Sequence, residues 1–180
     1  MKAFITSIGE PTTDLCAWSL QRLGYEPVII EGTDTLAEKL VKIYSLATGD
    51  FIRVDADVIV NRNLQDLSPF RNQYVWWYQF ICFDWYKMDI THGGVHLIKD
   101  EALPYLRLHA KEFLQAYRPE TELYRLKEFY EPRRCISYYG KLMGLHGYKQ
   151  DNIQRVKLLK ESRNQLDNYD FELYEKVSQL

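Results

Sequence analysis

The sequence predicts an α/β fold in which a mixed, mainly parallel sheet is flanked by helices. Residues 2–55 run strand, helix, strand, helix, strand with short connections, the pattern of parallel strands joined by right-handed crossovers. The third of these strands, in FIRVDADVIVN (Phe51 to Asn61), is an apolar run that ends in two carboxylates, Asp55 and Asp57. A chain of 180 residues is most simply one domain, able to bury roughly two thirds of the surface it exposes when unfolded.

Lys2 to Ile8 forms the first strand, broken by Gly9 and Pro11, with Thr12, Thr13 and Asp14 available as a helix cap. The helix over Leu15 to Leu23 carries Cys16, Leu20 and Leu23 at helical spacing, and Gly24 stops it. Pro27 to Ile30 is the second strand. Asp34 and Thr35 can cap a second helix whose apolar face is Leu36, Leu40, Ile43, Tyr44 and Ala47. Gly49 and Asp50 lead into the third strand. Asn61 to Asn72 is polar and punctuated by Pro69. Tyr74 to Tyr86 then reads as a strand rich in aromatic residues, with Asp84 its only charge.

Thr91 to Gly94 predicts a tight break before a short strand over Val95 to Ile98. Asp100 is expected to cap a helix from Glu101 to Tyr117, with Pro104 in its first turn, where a missing N–H does no harm. Pro119 ends it, and another helix starts at Glu120. Tyr138 to Lys149, with its glycines, predicts an irregular closing loop. Asp151 to Leu180 reads as two amphipathic helical pieces, which can dock on the sheet or on a second subunit and so leave a homodimer open.

Composition narrows the function classes. A formal charge of −2 gives no general grip on nucleic acid or anionic membrane. No run approaches the ~18 apolar residues of a spanning helix, and the apolar N-terminal run is too brief for a signal peptide. Cys16, Cys82 and Cys135, odd in number and outside any CxxC, predict reduced thiols and a cytoplasmic location. His92 and His96 alternate along the strand pattern, so that one can face a cleft. The two acids are the strongest chemical signal. Buried carboxylates are costly unless they meet a divalent cation, an Arg or Lys partner, or solvent at the mouth of a cleft. In an open α/β sheet that mouth lies outside the carboxyl ends of the strands.

LATGDFIRVDADVIV resembles the segment of GT-A nucleotide-sugar glycosyltransferases in which a helix ending in Ala-x-Gly-Asp feeds a strand carrying the DxD motif. VIIEGTDTLAEKL is similar to the loop that holds uracil in many such enzymes. THGGVHLIKDEAL is similar to their Gly-containing strand beneath the donor sugar, and LHGYK to their C-terminal His-Gly loop. The resemblance implies a Rossmann-like catalytic domain over residues 1–150, with 151–180 a helical extension of it. It implies transfer of a sugar from a nucleotide-diphosphate donor, UDP-linked, with Mn²⁺ or Mg²⁺ as cofactor and an acceptor that the sequence does not identify. A modified nucleic-acid base stays among the candidate acceptors.

By the same resemblance, Asp57 is a metal ligand with Asp55 its partner, His146 a further ligand, and Lys149 a charge on the diphosphate. Glu31 accepts from the uracil N3–H, and Thr6, Ser7 and Glu10 line the nucleotide side of the first loop. In PETELYR, Glu120 falls nearest to the catalytic base of inverting members and Arg125 to the basic position, with Pro119 replacing the first acid of the usual pair. The His-Gly-Lys ending leans toward retention, which needs no such base. Two other readings stand beside this one. A haloacid-dehalogenase-like phosphatase would use Asp55 as nucleophile and Asp57 as acid/base. A non-catalytic domain would bind nucleotide sugar without turnover.

Overall fold

The computed structural model describes residues 1–32, 34–85, 87–115 and 135–147. Seven strands form one sheet: β1 (Lys2–Thr6), β2 (Glu26–Ile30), β3 (Phe51–Asp55), β4 (Val58–Val60), β5 (Trp77–Asp84), β6 (Asp89–Ile98) and β7 (Cys135–His146). Their spatial order is β2-β1-β3-β6-β5-β7-β4. Strand β1 pairs in parallel with β2 and β3, and β5 with β7; β3 with β6, β6 with β5 and β7 with β4 are antiparallel. The helices are α1 (Thr13–Arg22), α2 (Leu36–Leu46), α3 (Leu103–Leu108) and α4 (Ala110–Gln115).

The period-2 alternation of the strands divides the core between two faces. Ala3, Ile5, Ile52 and Val54 point to the side where α1 lays Cys16 and Leu20. Phe4 and Phe51 point to the other, against Leu40, Ile43, Tyr44 and Ala47 of the α2 segment, as its apolar stripe predicts. Each Val, Leu, Ile or Phe side chain among them stabilises by about 1.5–3 kcal/mol when fully buried. The start of α2 is also as expected. Thr35 accepts from the Glu38 amide at 3.2 Å while the Glu38 carboxylate accepts from the Thr35 amide at 2.7 Å, a reciprocal capping box. At α1 the expected side-chain cap is not made. Thr12 holds the cap position without capping, and the Thr13 hydroxyl donates instead to the Glu10 carbonyl.

Three later expectations are corrected. Residues 138–146 are strand, not loop: β7 is covered by β5 on one side and β4 on the other. Its glycines serve close approach rather than turning, since a Cβ on Gly144 would lie 2.6 Å from the Ile59 carbonyl oxygen. The Thr91 to Gly94 break lies inside β6. Between Gln79 and Ile81 of β5 the register jumps from His96 to His92, so β6 carries extra residues there, a bulge made by Gly93 and Gly94 at φ 103° and 79°. The helix expected from Glu101 begins as a 3₁₀ turn over Asp100–Ala102, and the described helix is divided at His109 into α3 and α4. Asp100 does not cap it; its carboxylate accepts from the Gly49 amide.

Only Ala56 and Asp57 separate β3 from β4, yet three strands lie between those two in the sheet order. Two residues span about 7 Å, so the β6-β5-β7-β4 half must curl back on itself. Val54, Ala56, Val58, Phe80, Cys82, Val95 and Met143 fill the inside of the curl. The strand directions then bring the ends of β1, β3, β5 and β7 and the start of β4 to one end of the sheet.

Candidate active site where the curled sheet closes

Asp55 ends β3, Asp57 lies in the turn to β4, Asp84 ends β5 and His146 ends β7. Backbone hydrogen bonds fix the turn that carries the two acids: Ala56 N–H donates to the Thr6 carbonyl at 3.1 Å, and Gly147 N–H to the Asp57 carbonyl at 2.9 Å. Among the three ways of stabilising buried acids, the structure uses an Arg partner for Asp55. Arg53, 1% exposed and two residues back on the same strand face, forms an ion pair with Asp55 Oδ1, which also accepts from the Thr6 hydroxyl at 2.8 Å. A charge-assisted bond of this kind fixes the carboxylate orientation.

Asp57 is placed differently. Its Oδ2 is 3.6 Å from His146 Nε2, while His146 Nδ1 lies 3.2 Å from Asp84 Oδ2. Burial pushes the Asp57 carboxyl above the ordinary range; His146 opposes this, and Asp55 and Glu10 add to it. For His146, burial disfavours the imidazolium, but the Asp84 hydrogen bond and the charges of Asp57, Asp84 and Asp55 outweigh it, and its pKa is raised. Three carboxylates, Asp57, Asp84 and Asp55, thus act on His146. The thiols of Cys16 and Cys82 are raised far above neutrality by burial first and by these carboxylates second, so neither offers a thiolate.

The glycine bulge of β6 fills the centre of this cluster. A Cβ on Gly94 would lie 2.8 Å from Val58 Cγ2, 3.1 Å from His146 Cδ2 and 3.8 Å from Asp55 Oδ2. Only a residue without a side chain lets β6 pass beneath the acids. Thr6 and Ser7 are buried beside them, and the loop that follows β1 is closed on itself. Glu10 Oε2 accepts from the Ser7 hydroxyl at 2.8 Å and from the Ile8 amide at 2.7 Å, and Gly9 N–H donates to Ser7 Oγ. Beneath this loop the buried Lys39 ammonium donates to the Ser7 carbonyl at 2.6 Å. Glu31 follows β2 and is exposed.

Of the residues picked from the sequence, the structure therefore brings Thr6, Asp55, Asp57 and His146 together, with Ser7 and Glu10 in the adjoining loop. Glu120, Arg125 and Lys149 lie outside the described residues, as does the 151–180 extension. His96 is buried, accepting from Trp77 Nε1 at 2.9 Å, and burial followed by Arg53 holds it neutral. His92 makes a ring contact with Tyr139. Sequence reasoning missed Arg53 and Asp84, while Gly94 lies in the segment matched to the Gly-containing strand. A signal existed for both: Arg53 is the lone basic residue of an apolar strand, and Asp84 the lone charge in an aromatic one.

Among the described residues no three His, Cys, Asp or Glu side chains form a group that could hold a metal ion unaided. Asp57 and His146 suit a shared site nonetheless. Neighbouring ligands of an octahedral cation with bonds near 2.1 Å sit about 3 Å apart, and such ions take only one or two protein ligands when phosphate and water supply the rest. The observed 3.6 Å is within a small rotation of that. A cavity of about 500 Å³ opens at the other end of the sheet, between Met1, Tyr25, Asp50, Phe70, Arg71 and Lys99, and contains none of these groups.

No model of a protein family matches the sequence, and no curated protein is significantly similar to it. Solved structures are similar in fold. A glycosyltransferase involved in glycosylation of the major capsid of PBCV-1 superposes with a TM-score of 0.52 at 16% identity, over 89% of this chain and 98% of that one. The 4-diphosphocytidyl-2C-methyl-D-erythritol synthase of Anaerococcus prevotii superposes with a TM-score of 0.59 at 8% identity, over 91% of this chain and 98% of that one. A cytidylyltransferase of Leptospira borgpetersenii gives 0.50 at 11% identity, over 99% and 93%. At these identities the likeness is one of fold, the Rossmann-like architecture shared by GT-A glycosyltransferases and nucleotidyltransferases.

Proposed function

We propose that this chain is a glycosyltransferase that takes a sugar from a UDP-linked donor in a reaction dependent on Mn²⁺ or Mg²⁺. The observation that carries the reading is the approach of Asp57 Oδ2 and His146 Nε2 to 3.6 Å, at the carboxyl end of β3 and above a strand stripped of side chains at Gly94. A cation bound there would neutralise the charge that grows on the diphosphate as the glycosidic bond breaks. Asp57 and His146 would hold it. Asp55, fixed through Oδ1 by Arg53 and Thr6, keeps Oδ2 toward the same space and is oriented to accept from a donor hydroxyl. Glu31, exposed after β2, is the acceptor for the uracil N3–H. Glu120 and Lys149 keep the roles of base and diphosphate-binding charge in this reading, and inversion and retention both remain open to it.

The similarity to nucleotidyltransferases gives a second reading, transfer of a nucleotidyl group from a triphosphate. The first loop argues against it. Ser7 to Asp14 contains no Arg or Lys, and the Glu10 carboxylate occupies the Ser7 and Ile8 donors that would otherwise meet phosphate. The phosphatase reading is weakened because Asp55 Oδ1 is tied to two donors, which lowers its nucleophilicity, and because β3 is the third strand rather than the first.

The test is a panel of UDP-sugars incubated with Mn²⁺, following UDP release. The expected result is slow donor hydrolysis by the wild type and none by Asp57→Asn of unchanged fold. Pyrophosphate release from CTP would move the assignment to nucleotidyl transfer, a phosphoryl group trapped on Asp55 would move it to the phosphatase class, and donor binding without any release would leave a binding domain.

A further inference from the structure

We propose that Asp84 is the positioning residue of this site: it holds His146 in the tautomer and orientation that leave Nε2 free to ligate beside Asp57. The inference rests on the metal-dependent reading above and extends it to a residue outside the resemblance. Asp84 is the last residue of β5 and is 3% exposed. Its two carboxylate oxygens face different partners. Oδ1 accepts from the Lys87 amide at 3.0 Å in the hairpin turn to β6, while Oδ2 lies 3.2 Å from His146 Nδ1. The backbone anchors the same corner, with Met88 N–H donating to the Asp84 carbonyl and Trp85 N–H to the His146 carbonyl, each at 2.9 Å.

The chemistry follows from what each group can do. A carboxylate only accepts, so the imidazole nitrogen facing it must carry the proton. Nδ1 therefore donates, and in the neutral ring Nε2 is left with its lone pair, aimed at the space it shares with Asp57 Oδ2. Histidine ligands are commonly held this way by a carboxylate on the far nitrogen, and losing that partner costs about 10–100-fold in metal affinity. The register supports the assignment. His146 pairs with Val58 on one side and with Asp84 on the other, so strand pairing places the residue between the Asp57 turn and β5 and leaves the orientation of its ring to the Asp84 hydrogen bond.

Asp84→Asn separates positioning from folding. The asparagine oxygen can keep the Lys87 amide, which leaves its NH₂ facing His146 Nδ1; the ring must then accept there and carry its proton on Nε2. Two readouts are taken on the full chain. Nitrogen-15 spectra of the His146 ring at alkaline pH, without metal, should show Nδ1–H in the wild type and Nε2–H in the variant. Titration with Mn²⁺ in the presence of UDP should show affinity lower by about 10–100-fold in the variant, with an unchanged melting temperature.

Nε2–H in the wild type, or equal Mn²⁺ affinity in the two proteins, overturns the inference. Should the wild type bind no Mn²⁺, the metal-dependent reading falls, and the proposed role of Asp84 falls with it even if the tautomer is as expected. An Asp84→Asn chain that fails to fold leaves the wild-type spectrum to decide, Nδ1–H supporting the inference and Nε2–H overturning it.

Discussion

The two halves of the sheet follow different rules. In β2-β1-β3 each strand is bounded by local signals, Gly24 with φ 85° after α1 and the Thr35–Glu38 box before α2, and side chains alternate between two helices. In β6-β5-β7-β4 the strands are held by one another, and glycines permit close approach where sequence patterns suggest turns. The site lies on the seam. Asp55 belongs to the first half and receives its counter-charge, Arg53, from its own strand; Asp57 faces the second half, where His146 lies 3.6 Å away. The difference separates the two acids: Asp55, tied to a buried Arg on its own strand, is a fixed part of the framework, whereas Asp57 meets a histidine whose proton can leave.

The largest expected effect tests the framework acid. Arg53→Leu removes one partner of a buried pair and leaves Asp55 uncompensated, which should cost about 3 kcal/mol, toward the low end for such pairs because Asp55 is partly exposed. Urea unfolding checks it, and a loss below about 1 kcal/mol would mean that solvent, not Arg53, stabilises Asp55. Next comes the seam itself. Gly94→Ala meets Val58 and His146 as well as a positive φ, and should lose about 1–3 kcal/mol together with UDP–Mn²⁺ binding. Gly24→Ala has a similar φ of 85° with nothing within 4 Å, so it should lose only about 1 kcal/mol and bind normally. Equal losses in the two variants would erase the distinction between the halves.

A smaller effect concerns pH. Asp57 has a raised pKa in the folded state, so the native chain binds more protons than the unfolded one above the ordinary carboxylate range, and stability falls as pH rises through that window. His146, also raised, contributes stability that is complete below the ordinary histidine pKa and is lost as pH rises through its folded value. Without metal, stability should therefore decline from mildly acid to neutral pH, and Asp57→Asn should flatten the decline. Denaturation midpoints against pH measure this, and a rise over the same range would contradict the site electrostatics. The smallest effect lies in the first half, at the start of α2. Thr35→Ala should cost about 1 kcal/mol through the lost cap. Thermal unfolding checks it, and an unchanged midpoint would mean that the capping box adds nothing to the stability of α2.

The same division explains what could be read from the chain. Strand β1 through β3 and the helices between them were legible because caps, apolar spacing and strand alternation act over a few residues, as with Leu40, Ile43 and Tyr44 on α2. Strand β7 was not, because Gly140 and Gly144 carry the usual marks of a loop, and pairing with β4, some eighty residues away in sequence, overrides them. The pair of acids and His146, which the fold brings to one end of the sheet, were picked from residue type and resemblance. Arg53 and Asp84 were not, because their meaning depends on partners: Arg53 matters as the residue two before Asp55 on one strand face, and Asp84 only once β5 and β7 lie side by side.

The most direct test of the account is calorimetric titration of UDP with and without Mn²⁺, on the wild type and on Asp57→Asn. The account predicts binding to the wild type that requires Mn²⁺ and disappears in the variant, with the fold of the variant intact. Binding of equal strength without metal, or an unchanged affinity in Asp57→Asn, would contradict it.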